Sequence, residues 1–204
     1  MKRVPAPKEL QPDSFAFTAE NLEKAKQIIS KYPPRRQASA VMPLLDLAQR
    51  QHENWLPQTA MNAVAEMLDM PRIRVYEVAT FYTMYNLAPV GEHFVQICTT
   101  TPCWLRGSDN VVSACEKKLG IGLGETTADG KFTVVEVECL GACVNAPLMQ
   151  INDYYYEDLT AESTEAILNS LANGQKPRSG PQSSRHASEP ASGPTTLHEF
   201  MGDG

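Results

Sequence analysis

The segment Phe94-Val-Gln-Ile-Cys98 predicts a short β-strand, and Thr99-Thr-Thr-Pro-Cys103 follows it directly with a second cysteine. The arrangement returns downstream, where Phe132–Val137 predicts a strand rich in β-branched residues and Glu138-Cys-Leu-Gly-Ala-Cys143 follows it. Between the strands, a predicted helix over 108–119 makes the connection a right-handed crossover. We therefore expect both cysteine pairs to lie on loops at the same end of one small sheet.

The sequence after the second cysteine pair completes a small layered domain, predicted over residues 88–174. Met149–Ile151 and Tyr154–Tyr156 predict a short hairpin, and Thr160–Leu171 predicts a closing helix that is capped by Thr160. Ser108 is the predicted N-cap of the crossover helix. The resulting order, β-α-β-β-α with the hairpin counted once, is typical of a thioredoxin-like layer, in which helices cover a small mixed sheet.

The residues before this domain predict helices. An N-terminal arm of residues 1–13 precedes a helical domain, predicted as a bundle over 14–87, in which apolar residues recur at helical spacing. Four helices are predicted: Thr18–Tyr32, one that begins near Ser39 as its N-cap, Gln58–Leu68, and one that runs from Pro71 toward Tyr85. The whole chain is therefore predicted to be α+β, with a helical domain ahead of the layered one.

The C-terminal residues 175–204 form a tail rich in proline, glycine and serine that shows no apolar periodicity. A segment of this composition buries too little apolar surface to offset the entropy of ordering it. The tail is predicted to be disordered or, as the alternative, to wrap a partner subunit with Leu197 and Phe200 as apolar anchors.

Composition and charge exclude several classes of protein. The 204 residues carry 18 basic and 24 acidic side chains, a net charge of −6, which argues against nucleic-acid binding. Uncharged stretches fall short of the roughly 18 apolar residues that span a bilayer, so no direct membrane insertion is expected. Met1–Gln11 has no apolar run, and no secretory signal is expected there.

Four of the five cysteines are candidate metal ligands: Cys98, Cys103, Cys139 and Cys143. Their spacing is compatible with zinc and with iron–sulfur chemistry, and disulfides in an oxidised sample are a third interpretation. The small residues between the paired cysteines favour a [2Fe–2S] cluster, because they allow close backbone approach and N–H donation to sulfur. No histidine lies near enough in the sequence to indicate a mixed site.

Other conspicuous residues are predicted to be structural. Cys115 lies on the apolar face of the crossover helix and is predicted to be core. The glycines of Gly120–Gly124 follow a helix rather than a strand, which predicts a turn and not a nucleotide-binding loop. Glu136 and Glu138 lead into Cys139, and their negative charge predicts a low reduction potential for a cluster bound there.

The motifs taken together resemble a known family, the thioredoxin-like [2Fe–2S] subunit of respiratory complex I, NADH:quinone oxidoreductase. The resemblance covers roughly residues 14–172 and also the Gly-Pro-Thr-Thr-Leu segment at 193–197. It rests on these stretches: Cys98-Thr-Thr-Thr-Pro-Cys103, Glu138-Cys-Leu-Gly-Ala-Cys-Val-Asn-Ala-Pro147, Ser39-Ala-Val-Met-Pro-Leu-Leu45, Val75-Tyr-Glu-Val-Ala-Thr-Phe-Tyr82 and Tyr154-Tyr-Tyr-Glu-Asp-Leu-Thr160.

The resemblance implies that Cys98, Cys103, Cys139 and Cys143 hold one [2Fe–2S] cluster, with no departure from the family's ligand pattern. It implies that NADH and FMN bind to a partner subunit, that other peripheral-arm subunits are further partners, and that no residue of this chain is catalytic. The cluster would exchange single electrons with the flavin.

Compartment and assembly follow from the same resemblance. The motifs are closest to mitochondrial and α-proteobacterial members, and we expect the cytoplasmic face of a bacterial inner membrane, with the mitochondrial matrix side as the alternative. An equivalent subunit of an NAD-linked hydrogenase or formate dehydrogenase, and a zinc-stabilised interaction domain, remain the rival functions.

Overall fold

The computed structural model describes residues 4–190, 192–193 and 195–196. These residues fall into two compact units, divided between Val90 and Gly91. Within the described part of the chain, none of the helices is both long enough and apolar enough to cross a lipid bilayer.

The N-terminal unit is helical and has its own apolar core. Leu44, Leu45, Val64 and Val75 are fully buried at the centre of it, and the Tyr85 hydroxyl donates to the Met42 carbonyl at 2.9 Å. The helices that supply this core are α1 (Ala19–Ser30), α2 (Val41–Gln51), α3 (Gln58–Met67) and α4 (Arg72–Phe81).

The starts of two of these helices differ from the prediction. Ser39 does not cap α2, because it lies inside a 3₁₀ turn, Gln37–Ala40, that leads straight into the helix. An N-cap residue needs an extended backbone, which a residue within such a turn cannot adopt. Pro71, predicted in the first turn of α4, has ψ of 131° and lies at the N-cap position just before the helix.

The C-terminal unit is built on a five-stranded mixed sheet with the strand order β2-β1-β3-β4-β5. Its strands are β1 (His93–Cys98), β2 (Phe132–Val137), β3 (Met149–Ile151), β4 (Tyr154–Glu157) and β5 (Gly180–Pro181). Strands β1 and β2 are parallel, β3 is antiparallel to both of its neighbours, and β5 is parallel to β4. The four strands and two long helices predicted for this unit are all present in the predicted order, with one short helix and the strand β5 in addition.

Besides a short helix α5 (Thr101–Leu105), this unit has two long helices, α6 (Ser108–Leu119) and α7 (Ala161–Ala172), which pack against each other. Val111 of α6 and Leu168 of α7 join Val95, Ile97 and Val134 of the parallel strands in one buried core. Alternate residues of a strand face one side, so the β-branched residues of β1 and β2 supply the core directly. This packing holds the two parallel strands side by side and aligns their carboxyl ends.

Helix starts in this unit confirm one expectation and correct another. Thr160 caps α7 as predicted, since its hydroxyl accepts from the Ser163 N–H at 3.1 Å in a capping box. Ser108 does not cap α6. The cap position belongs to Gly107, whose φ of 87° suits glycine, and the buried Ser108 hydroxyl has no partner among the described residues.

The prediction of disorder is wrong for part of the tail. Gly180–Pro181 adds a fifth strand to the sheet, and residues as far as Ala187 are hydrogen-bonded to the same unit. Composition did not predict this order, because it comes from backbone pairing with an exposed sheet edge rather than from apolar burial. The proposed anchors Leu197 and Phe200 lie outside the described residues.

Candidate metal centre

The first cysteine pair is buried in regular structure. Cys98 is the last residue of β1, and Cys103 lies in the short helix α5, which the sequence did not predict. Neither side chain has exposed surface. The expectation that both pairs lie on loops is therefore wrong for this pair, because Pro102 near the start of a helix favours helical rather than loop geometry.

The second pair lies at the surface after β2. Cys139 is in a loop and Cys143 begins a 3₁₀ turn, Cys143–Asn145; both are exposed, and their Sγ atoms are 3.5 Å apart. Between them Gly141 has φ of 85°, a conformation that glycine adopts without strain, and its N–H donates to the Cys139 sulfur at 3.4 Å. The loop supplies two thiols and at least one amide donor to sulfur.

The structure brings both pairs together at the carboxyl end of the parallel strands. Cys98 is in register with Val137, so the loop after β2 starts beside it. Leu140 of that loop is one of the backbone hydrogen-bond donors that act on the Cys98 thiol and lower its pKa. The hydrogen bond with Cys139 raises the pKa of Cys143, and the charge of Cys98 raises it further. The sequence argument that placed the pairs at one end of the sheet is confirmed.

The two buried thiols differ in acidity. Burial raises the pKa of Cys98, but hydrogen bonds from the Thr100 hydroxyl, 3.2 Å away, and from nearby backbone N–H groups outweigh it and lower that pKa overall. Burial and the hydrogen bond to Cys98 raise the pKa of Cys103 to about 12. Two buried thiolates are costly unless a cation compensates them, which is the charge that iron or zinc supplies.

The arrangement of the donors indicates a group that they could hold. The four cysteines are arranged as two pairs, and a [2Fe–2S] cluster takes four thiolates shared between its two irons. Amide and hydroxyl donors point at the sulfurs from Gly141, Leu140 and Thr100. The residues present fit a [2Fe–2S] cluster.

Several supporting residues were not found by sequence reasoning. The Tyr155 hydroxyl donates to the Leu140 carbonyl at 2.7 Å and so ties β4 to the second cysteine loop. Leu148 and Ala146 pack on the buried cysteines, and Asn145 ends the turn that Cys143 begins. Asn145, Ala146 and Leu148 lie within or beside the motif of Cys139 and Cys143, and Tyr155 lies in the separate motif 154–160. Only the tertiary contacts show what these residues do.

Cys115 is confirmed as a core residue on α6, and burial raises its pKa to about 12. The carboxylate of Glu136 accepts from the Thr99 hydroxyl, and neither Glu136 nor Glu138 is buried. The acidic side chains before Cys139 therefore lie at the solvent surface near the centre.

Fold and site together define a thioredoxin-like domain with four cysteines in two pairs, a set of donors that fits an iron–sulfur centre. The family model described as thioredoxin-like [2Fe-2S] ferredoxin matches residues 25–172. The chain belongs to this family, and the resemblance drawn from its motifs is confirmed.

Curated relatives are similar over most of the chain. An NADH-quinone oxidoreductase subunit of Rickettsia bellii is 61% identical over 160 residues, which cover 78% of this chain and 96% of that protein. The protein named "NADH dehydrogenase [ubiquinone] flavoprotein 2, mitochondrial" of Dictyostelium discoideum is 54% identical over 185 residues, or 91% of this chain and 75% of that protein.

A solved structure shares the fold at low identity. The crystal structure of an NAD+-reducing [NiFe]-hydrogenase in the H2-reduced state matches with a TM-score of 0.56 and 21% identity, over 66% of this chain. The match spans 23% of the hydrogenase chain's length. At this identity the likeness establishes the fold alone.

Proposed function

We propose that this chain is the [2Fe–2S] subunit of the NADH-oxidising part of NADH-quinone oxidoreductase, respiratory complex I. One cluster would be held by Cys98, Cys103, Cys139 and Cys143. The observation that carries the proposal is the meeting of the two cysteine pairs at one end of the sheet. Identity of 61% to a relative that bears the name of that enzyme, over 96% of the relative's length, supports the assembly.

A bound [2Fe–2S] cluster supplies reversible one-electron chemistry. The protein's own part is to bury Cys98 and Cys103, to leave Cys139 and Cys143 at the surface, and to aim donors at the sulfurs. Hydrogen bonds to sulfur stabilise the extra negative charge of the reduced state, while the nearby carboxylates oppose it. The chain therefore tunes a single-electron carrier and performs no bond chemistry itself.

The flavin and NADH are proposed to bind the partner subunit. Three exposed apolar side chains lie within two residues of a cysteine in the chain: Trp104 and Leu105 after Cys103, and Val144 after Cys143. Large exposed apolar side chains near a site are typical of protein interfaces. We assign the flavin subunit to this cysteine-flanking face, because electrons pass between centres only over short distances.

Further partner contacts are proposed for the helical domain, residues 14–87. Ile73, Phe81 and Met84 are large apolar residues that this unit leaves exposed, which fits contacts with the flavin subunit or with other peripheral-arm subunits. The assembly would place the chain peripherally on the cytoplasmic face of a bacterial inner membrane, with the mitochondrial matrix side as the alternative. A variant Phe81→Ser should then weaken co-purification with those subunits and leave the cluster content unchanged.

The rival assemblies are less well supported. The hydrogenase likeness stands at 21% identity and establishes the fold alone, whereas the quinone oxidoreductase relatives reach 61%. A zinc-stabilised interaction domain would be colourless, so it is separated from the proposal by a visible spectrum.

The test is a visible and electron paramagnetic resonance spectrum of the full chain, purified without oxygen, before and after dithionite. We expect a brown protein that gains one unpaired spin per chain on reduction. In Cys139→Ala the signal should be lost, and in the control Cys115→Ala it should persist, because Cys115 lies in the core away from the pairs. A colourless chain with one bound zinc would refute the proposal.

A further inference from the structure

The described part of the tail makes a connected set of contacts with its own sheet, and we name residues 180–190 the tail strap. Gly180–Pro181 pairs with β4, and the Gln182 N–H donates to the Glu157 carbonyl at 2.9 Å. These bonds carry the strap along the outer edge of β4 toward the turn between β4 and α7.

The strongest contact of the strap is an ion pair between Arg185 and Asp158. Arg185 Nε donates to Asp158 Oδ2 at 2.7 Å, and its Nη2 donates to the other carboxylate oxygen, which makes the pair bidentate. The Ser183 hydroxyl donates to the same carboxylate at 2.8 Å. The two charged side chains are only 12% and 8% exposed, so removing Arg185 takes the opposite charge away from a carboxylate that lies largely out of water.

The strap also reaches the second cysteine loop, through Asn145. This residue is 2% exposed, and its Nδ2 donates both to the Glu157 carboxylate and to the Ala187 carbonyl, the latter at 3.0 Å. The Asn145 carbonyl in turn accepts from the Asp158 N–H at 2.8 Å. One residue therefore joins the turn that begins at Cys143, the end of β4 and the strap.

We infer that the tail strap positions the exposed cysteine pair and slows the loss of the cluster from it, with Asn145 and Arg185 as positioning residues. The inference rests on the proposed function, since it concerns the same cluster. Loops open locally at low free-energy cost, and Cys139 and Cys143 lie on a loop and a short turn. Groups that orient a metal ligand without touching the metal strongly affect how tightly the metal is retained. The strap holds one such group, the Asn145 side chain.

The experiment uses the full chain, loaded without oxygen with ferrous iron and sulfide. Loss of visible absorbance in excess chelator is followed for wild type, Arg185→Ala and Asn145→Ala. We expect each variant to lose its cluster about tenfold faster than wild type. Arg178→Ala is the matched control, because Arg178 is an exposed arginine of the same tail, and its loss rate should equal that of wild type.

Two further readouts separate positioning from general stability. Visible circular dichroism of the bound cluster, which reports the geometry of its ligands, should change in Asn145→Ala and not in Arg178→Ala. The double variant of Arg185 and Asn145 should lose its cluster no faster than the faster single variant, because both substitutions break one connection.

The outcomes are distinct. A wild-type loss rate in Arg185→Ala, whatever the rate in Asn145→Ala, or rates that multiply in the double variant, overturn the inference. If Arg185→Ala does not fold, Arg185→Lys, which keeps the positive charge but not the bidentate geometry, takes its place. A wild-type chain that takes up no cluster refutes the proposed function itself, and the strap with it.

Discussion

The two cysteine pairs occupy opposite environments at the same end of the sheet. Cys98 and Cys103 are buried on a strand end and a helix, whereas Cys139 and Cys143 are exposed on a loop and a 3₁₀ turn. Apolar packing holds the first pair in place, while side-chain contacts such as the Tyr155–Leu140 hydrogen bond hold the second. The comparison indicates that the first cysteine pair is fixed by the protein core, whereas the second pair is open to solvent.

The largest expected effect comes from removing one cysteine of each pair. Cys103→Ala and Cys139→Ala should both abolish cluster uptake, which iron and sulfide analysis measures. They should differ in the cluster-free protein: the buried substitution lowers the free energy of unfolding by about 1–2 kcal/mol, and the exposed one changes it by less than about 0.5 kcal/mol. Equal losses of stability in the two variants would contradict the contrast in burial.

Alkylation of the cluster-free chain tests access directly. Iodoacetamide at neutral pH should modify Cys139 and Cys143 first, with Cys98, Cys103 and Cys115 reacting only after local opening. Mass spectrometry of a time course gives the order. Cys98 has a lowered pKa and hence more thiolate, so its appearance as the first modified site would show that acidity outweighs burial.

The Thr100 hydroxyl, which is hydrogen-bonded to the Cys98 sulfur, should raise the reduction potential of the cluster. Thr100→Val removes the hydroxyl 3.2 Å from the Cys98 sulfur and keeps the side-chain volume. The hydrogen bond is present in both oxidation states and is stronger in the more negative reduced state, so losing it should lower the midpoint potential in a redox titration. The shift is at most about 40 mV, which corresponds to about 1 kcal/mol for one electron. Thr101→Val is the control, and its midpoint should equal that of wild type.

The smallest expected effect is on the exposed side of the centre. Glu138→Gln removes a negative charge next to Cys139 and should raise the midpoint potential by roughly 10–20 mV, because water and salt screen a carboxylate at the surface. An unchanged or lower midpoint would show that the charge of Glu138 does not lower the reduction potential.

Local sequence patterns predicted most of the elements that carry the site. The strands ending at Cys98 and Val137, the crossover helix and the capped helix α7 were found within one or two residues. Residues 101–105 were missed as a helix because five residues carry no measurable periodicity. The predicted caps at Ser39 and Ser108 failed because the preceding backbone, not the side chain, starts those helices.

The sequence by itself determined that both cysteine pairs lie at one end of the sheet, because each pair follows one of two neighbouring parallel strands. It also determined the family, because each family motif lies within one short stretch of the chain. Only the tertiary structure decided that Cys98 and Cys103 are buried while Cys139 and Cys143 are exposed. It alone showed that Arg185 pairs with Asp158 and that Asn145 joins the tail to the cysteine turn. Burial and long-range hydrogen bonds depend on which surfaces meet in the folded chain, and local composition does not encode that.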